Sequence, residues 1–499
     1  MKVLFYVQRL VTAKLTYALA NYFKQRDETM QFAALAYRSL SEGEYLKETK
    51  LFEQVMSESE IHQQARQLEP DADVLGRLEH TYGIPTIWQF VTQNRFLTMK
   101  NLGYLYRYGS PYSREQLLTH IQHRFHCIEK LVDSFKPDVI IYPEVDVGPS
   151  SALILERIAK ERGIKVVVPI SSRIGSFHTF TNTVFSKADH IERLFYKYLS
   201  APDYDRAPAQ ALWNSFKKDN LPLSYIDDEL GINRKKTREQ FLHGAIKERL
   251  NGHYFRSDDP FRLSLFTYDM ATFIVKLRQS RLKLGKFFTN PTEGEKYVYY
   301  PLHFEPEIAL ILYAPFYTNQ LAIIRNLAQS LPYDTCLYVK DHVVGRGRRM
   351  LSFYKDIAGI PNVKLLNPEL DSRELIKGSE GVVTVTGTVG MEAILLKKPV
   401  ITFGDVFYNM ADELVWHTHS FEDLPHLIKR FKAFESNDET ILAFLAAILA
   451  ESIPIDPLVL ARAVSNTDNP QELMSFTAYA EYLEKAIKSS VKASSEMAS

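Results

Sequence analysis

In the C-terminal half of the chain, apolar positions come in short unbroken runs separated by segments of helical period. The runs are YVYYPLHF, TCLYVK, NVKLLN, GVVTV and PVITF, and helical patterns fill about 317–330, 348–358, 371–378 and 389–397. Strands apolar on both faces need cover on both faces, and intervening helices supply it, so this rhythm predicts a parallel, doubly wound sheet. A Rossmann-like domain is expected over 296–425. The N-terminal half is less regular. KVLFYVQ, DVIIYPE and KVVVPIS read as strands, with a helix at 150–162 between the last two, while 40–135 alternates helical patterns and turn residues without a clear strand order. The expectation is an α/β domain at 1–185 with helical insertions. A connecting helical region follows at 186–295, and helices at 426–485 and a disordered tail at 486–499 follow the second domain.

Length agrees, because 499 residues exceed what one hydrophobic core usually organises. Lys plus Arg and Asp plus Glu both number 60, so no global field favours nucleic acid, and no nucleic-acid partner is expected. Cys127 and Cys336 lie in no metal-binding or disulfide pattern and fit a reducing compartment. The opening MKVLFYVQRL is broken by Gln8 and Arg9 and reads as a buried strand, not a signal peptide. No segment offers the roughly 18 uninterrupted apolar residues of a membrane span. A cytoplasmic protein is expected. The basic run from Arg278 to Lys286 reads as a solvated helix face, with peripheral contact at the inner membrane face as the alternative.

Open α/β sheets bind ligands outside the carboxyl ends of their strands. In the second domain those ends carry His303, Glu305 and Glu307, then Lys340-Asp341-His342, then Thr386-Gly387-Thr388 with Glu392 in the following helix, then Gly404-Asp405. A small-residue loop opening a helix suits a phosphate, since helix N-terminal N–H groups point at it. Its spacing is not that of a P-loop, which disfavours ATPase chemistry. Glu392 is placed to accept hydrogen bonds from a ribose diol. In the first domain, Glu144 and Asp146 follow a strand and suit general-base or nucleophilic work at a sugar carbon. Arg173 follows the next strand and can hold an anion by a bidentate pair. Each has a plainer reading as turn, cap or solvated charge. No metal or cofactor is expected, since no DxD pair is isolated, and Asp371 to Glu374 reads as a helix start.

The run from 297 to 410, with PLHFEPE, LYVKDH, NVKLLNPELDSRELI, VTVTGTVGMEAILLKKPVITFG and VFYN, resembles the capsule polysaccharide biosynthesis family, whose members include bacterial β-Kdo transferases. EVDVGPSS and SSRIGS carry a weaker echo. The resemblance implies a GT-B architecture of two Rossmann-like domains facing across a cleft, with the donor nucleotide on the second. It implies a glycosyltransferase of capsule or lipopolysaccharide synthesis, moving a sugar such as Kdo from a nucleotide donor such as CMP-Kdo to a glycan or glycolipid, alongside capsule assembly machinery. Lys340-Asp341-His342 falls where related enzymes carry a His-Pro motif that contacts the donor phosphate, with Val343 replacing the proline. Thr386, Gly387 and Thr388 match the phosphate loop and Glu392 the acidic position after it. Two alternatives are a polyol-phosphate transferase of teichoic-acid type using a CDP-linked donor, and a non-catalytic glycan-assembly protein of the same fold.

Overall fold

The computed structural model describes residues 1–37, 40–98, 109–110, 112–144, 149–218, 273–280, 287–305, 307–342, 345 and 347–497. Asp146, Val343 and the stretch 281–286 of the basic run lie outside the described residues.

Twelve strands form two six-stranded sheets. The first contains β1 (Lys2–Val7), β2 (Gln31–Ala36), β3 (Phe52–Ser57), β4 (Val139–Ile141), β5 (Lys165–Ser171) and β6 (His178–Thr181), in the order β3-β2-β1-β4-β5-β6. All its pairings are parallel except β5 with β6. The second contains β7 (Tyr297–Pro301), β8 (Cys336–Lys340), β9 (Val363–Leu366), β10 (Gly381–Thr384), β11 (Val400–Thr402) and β12 (Val415–His417), in the order β12-β11-β10-β7-β8-β9 and parallel throughout. Two doubly wound α/β units, the GT-B-like class expected from the sequence, are therefore present. In each sheet the strand order reverses between the first strand and the fourth, and this switch point is where such sheets open a crevice for ligands.

Burial explains the runs. Val298, Tyr299, Tyr300, Leu337, Tyr338, Val339, Val382, Val383, Val400 and Ile401 are fully enclosed, because helices cover both faces of the second sheet. Caps set the helix starts: the Asp371 carboxylate accepts from the Arg373 N–H at 2.8 Å and opens helix Ser372–Gly378, so the stretch read as a helix start is one.

The two units are sewn together. Ala309, Leu312 and Tyr313, from the loop and helix after β7, pack into the first unit's core beside Tyr142, Ala152 and Val184. The C-terminal helices return to the first sheet, where Leu460, Ala461, Phe476, Tyr479 and Leu483 pack with Val3, Phe5 and Val139. The last of these helices runs Met474–Met497, so the tail expected over 486–499 is helical through Met497. Among the described residues no helix is long and apolar enough to cross a membrane. Arg278, at the start of the basic run, donates to the carbonyl of Arg349 at 3.2 Å and to Met350 Sδ at 3.1 Å, so this residue packs against the second unit.

Candidate functional site

The switch point of the second sheet lies between β7 and β10, and the candidates on these two strands meet there. His303 follows β7 and is buried. Its Nε2 lies 3.1 Å from Thr384 Oγ1 and accepts from the N–H groups of Val385 at 3.3 Å and Thr386 at 3.4 Å. A nitrogen that accepts from backbone carries no proton, so the ring is neutral with its proton on Nδ1. Burial is the main cause that pushes its pKa down to about 3, with Arg173, His342 and Arg349 reinforcing it. His303 thereby pins the loop of Thr386 to Thr388, and its Nε2 is committed to that task.

The loop is close-packed. Gly387 N–H donates to Thr384 Oγ1 at 3.1 Å, and a β-carbon at Gly387 would fall 2.8 Å from that oxygen and 3.2 Å from the His303 ring. The Thr386 hydroxyl donates to the Ala309 carbonyl at 2.9 Å. It braces the loop against the segment after β7 that packs into the first unit's core. Helix Thr388–Leu395 begins here, with Gly387 to Val389 partly exposed. At a helix start the first N–H groups have no intrahelical acceptor, and the macrodipole favours an anion. Tyr408 donates to the Gly387 carbonyl at 2.6 Å and closes the far side.

Four candidates act on one another electrostatically around this loop. Glu307 has its pKa raised by burial, opposed by the neighbouring Arg173 and His342 side chains. Arg173 belongs to the first unit, where its N–H donates to Ser171 Oγ at 3.1 Å and its backbone is left-handed at φ 60°. The same guanidinium influences His303, Tyr313 and Tyr408 of the second unit. The seam therefore brings together Arg173, His303, Glu307 and His342.

The remaining candidates fall elsewhere. Lys340 is buried and donates to the Leu370 carbonyl at 2.7 Å, toward the loop after β9. Glu392 is half-buried one turn into its helix, on the side of Tyr299, whose hydroxyl it influences. Glu144 sits at the other switch point, after β4. It accepts from Thr12 Oγ1 at 3.3 Å and lies 3.7 Å from Arg9 Nη1, both after β1. Burial raises its pKa, and Arg9 is the chief opposing charge.

Sequence reasoning missed the group that locks the strand ends. Arg349 is buried and donates from Nη1 to Glu305 Oε1 at 2.5 Å and from Nη2 to the His303 carbonyl at 2.5 Å, while its Nε lies 3.5 Å from Asp341 Oδ1. Tyr354 donates to the other Asp341 oxygen at 2.6 Å, and Gln320 Oε1 accepts the His303 N–H at 2.7 Å. The basic run GRGRRM reads as surface in one dimension, so nothing in the pattern marked Arg349.

Residues 254–422 match the family described as capsule polysaccharide biosynthesis protein. Protein FixF of Sinorhizobium fredii is 32% identical over 231 residues, which is 43% of this chain and 53% of that protein. The chain thus spans about half the length of this curated relative. Among solved structures, the β-Kdo 2,7 transferase KpsC of Thermosulfurimonas dismutans aligns over 64% of this chain and 79% of its own, at 13% identity and a TM-score of 0.32. The UDP-GlcNAc 2-epimerase of Neisseria meningitidis, bound to UDP-GlcNAc, aligns over 90% and 99% at 13% identity and a TM-score of 0.28.

Proposed function

We propose, from the match of residues 254–422 to the capsule polysaccharide biosynthesis family, that the chain is a glycosyltransferase of surface polysaccharide synthesis. It takes a nucleotide-activated sugar, with CMP-Kdo the first donor to test, and passes the sugar to a glycan or glycolipid acceptor. The observation that carries this reading is that Arg173 and His342 both act on His303 and Glu307, and that His303 holds the Thr386 to Thr388 loop where a helix starts above the switch point of the second sheet. A guanidinium, an imidazole that can donate a hydrogen bond, and a helix N-terminus form a receptor for a donor phosphate and stabilise the charge that develops on the leaving nucleotide.

In this reading His303 is a positioning residue that presents the loop, Thr388 and Gly387 border the phosphate, and Glu392 faces the ribose. Thr386 and Lys340 support the site through the carbonyls they hold. Glu144, with its raised pKa, is the candidate base on the acceptor side, with Asp146 as the second carboxylate. Closure of the seam over the donor would exclude water and limit hydrolysis.

Calorimetry with CMP, CDP, UDP and GDP tests the donor surface. One nucleotide should bind, and His342→Ala or Arg173→Ala should weaken it at least tenfold without lowering the melting temperature; unchanged affinity in both variants removes the surface. Product analysis tests the chemistry. Release of CMP from CMP-Kdo with sugar in the product supports the reading, whereas phosphorus retained in the polymer indicates polyol-phosphate transfer. Nucleotide binding with no turnover of any donor indicates an assembly protein. Glu144→Gln should abolish transfer while nucleotide still binds.

A further inference from the structure

We infer that Asp405, His417 and His419 form a binding site for a divalent first-row transition ion, at the outer end of the second sheet and made of residues other than those assigned to the proposed donor phosphate site. Their ligand atoms all lie within 4.8 Å of one another. The two imidazole Nε2 atoms are 3.1 Å apart, and His417 Nε2 is 3.5 Å from Asp405 Oδ1. A tetrahedral ion with bonds of about 2.0–2.1 Å spaces its ligand atoms about 3.3–3.4 Å apart, which both separations bracket. Two imidazoles and a carboxylate are a donor set that suits Zn2+ and its first-row neighbours and leaves further positions for water or an anionic oxygen.

The hydrogen bonds behind His417 point the same way. Asn409 Nδ2 donates to the Gly404 carbonyl at 3.0 Å, which turns Asn409 Oδ1 toward Thr402. Thr402 donates its hydroxyl proton to that oxygen at 2.8 Å. Its own oxygen is left to accept, and His417 Nδ1 lies 3.2 Å away. Nδ1 therefore carries the proton, and in the neutral ring Nε2 turns its lone pair toward Asp405 and His419. A lone pair facing a carboxylate is satisfied by a cation between them, a proton or a metal ion, and the Asn409–Thr402–His417 chain is the kind of outer support that orients metal-binding histidines.

The frame is rigid. Thr402 and His417 are register partners on β11 and β12, the Asp405 N–H donates to the Tyr313 carbonyl at 2.9 Å, and Tyr317 donates to the His419 carbonyl. Asp405 and His417 also line a cleft of about 360 Å³ whose opposite wall carries Ser186, Lys187 and Glu192 from the chain after the first sheet. An ion held here would border that cleft and offer its open positions to an oxygen ligand inside it.

The test uses the full chain without an affinity tag, stripped by chelator and titrated with Zn2+ by calorimetry and with Co2+ by visible absorption. One equivalent of each should bind, with Co2+ giving the intense d–d bands of low coordination. The chain has 14 histidines, so adventitious binding must be separated from this site. The double variant His417→Gln/His419→Gln should lose the equivalent, Thr402→Val should weaken it about ten- to hundredfold, and His126→Gln should retain it. Stoichiometric binding unchanged in the double variant, or no saturable binding by the native chain, overturns the proposal. No nucleotide enters the measurement, so its outcome is independent of the donor site.

Discussion

At the carboxyl edge of the first sheet, buried Arg124 lies 3.0 Å from Glu58 and donates to Ser150 Oγ at 3.1 Å. These partners stand on helices, so the cation ties helix to helix. At the same edge of the second sheet, Arg349 ties strand end to strand end, through Glu305 and the His303 carbonyl after β7 and Asp341 after β8. Removing one member of a buried pair costs far more than the pair contributes, because the partner stays charged and dry. The second edge leaves two carboxylates exposed to that penalty and the first leaves one. The ends of β7 and β8 are therefore held to a fixed geometry before any ligand arrives, and that is the condition for a preorganised phosphate receptor. The first edge depends on how its helices settle.

Arg349→Ala should be the most damaging single change, at about 3–5 kcal/mol or beyond, and should exceed Arg124→Ala within the same range. Urea denaturation of both variants measures the contrast, and equal or inverted losses would break it. Arg173→Ala should cost nucleotide binding about 1.5–3 kcal/mol, the worth of a charge-assisted hydrogen bond, while leaving the urea midpoint nearly unchanged. A large stability loss would instead make Arg173 part of the weld between the units. Gly390→Ala drives a β-carbon to 2.5 Å from the Tyr408 hydroxyl and 2.9 Å from its ring carbon, and overpacking of this kind costs about 1–3 kcal/mol. Thermal melts with and without nucleotide will separate that cost from a binding defect.

The most gradual effect is in pH. Burial drives His303 to about 3, His62 to about 2 and His120 to about 3, all below their unfolded value near 6.5. Between those limits the unfolded chain binds protons that the native chain refuses. Stability is therefore full above about pH 6.5 and falls as the pH drops toward 3. Each histidine adds about 1.4 kcal/mol per pH unit to that slope. His303→Gln should remove one such share and His62→Gln/His120→Gln two. Denaturation midpoints at pH 5 and 7 give the slopes, and an unchanged slope in His303→Gln would count against a neutral, loop-holding ring.

The same contrast governs how much could be read in one dimension. The strands β7 to β11 are apolar on both faces, and their runs announced them. β2, QFAALA, is rich in alanine and looks helical without its neighbours. β3, FEQVMS, is an edge strand whose polar Glu53 and Gln54 break the run, and β12 is three residues long. These three went unread, as did the short β6, HTFT, and with β12 went His417. At the site, the position of His303 and the loop of Thr386 to Thr388 were legible because strand ends collect polar residues. Their mutual contact was not, since which ring nitrogen faces the backbone depends on side-chain geometry that spacing does not encode. Arg349 was hidden for a related reason: its burial depends on carboxylates from two other loops.

Gly347 has a left-handed backbone at φ 82°, and a β-carbon there would fall 2.6 Å from Gln279 Cγ and 2.9 Å from the Val275 carbonyl. Only the smallest residue lets the helical turn at 273–280 lie against the loop that delivers Arg349. The turn at 273–280 is thus packed against the loop that carries Arg349, whose side chain holds the strand ends of the proposed donor pocket. Val275, Gln279 and Gly347 share one close contact, and a side chain added at Gly347 must displace the other two.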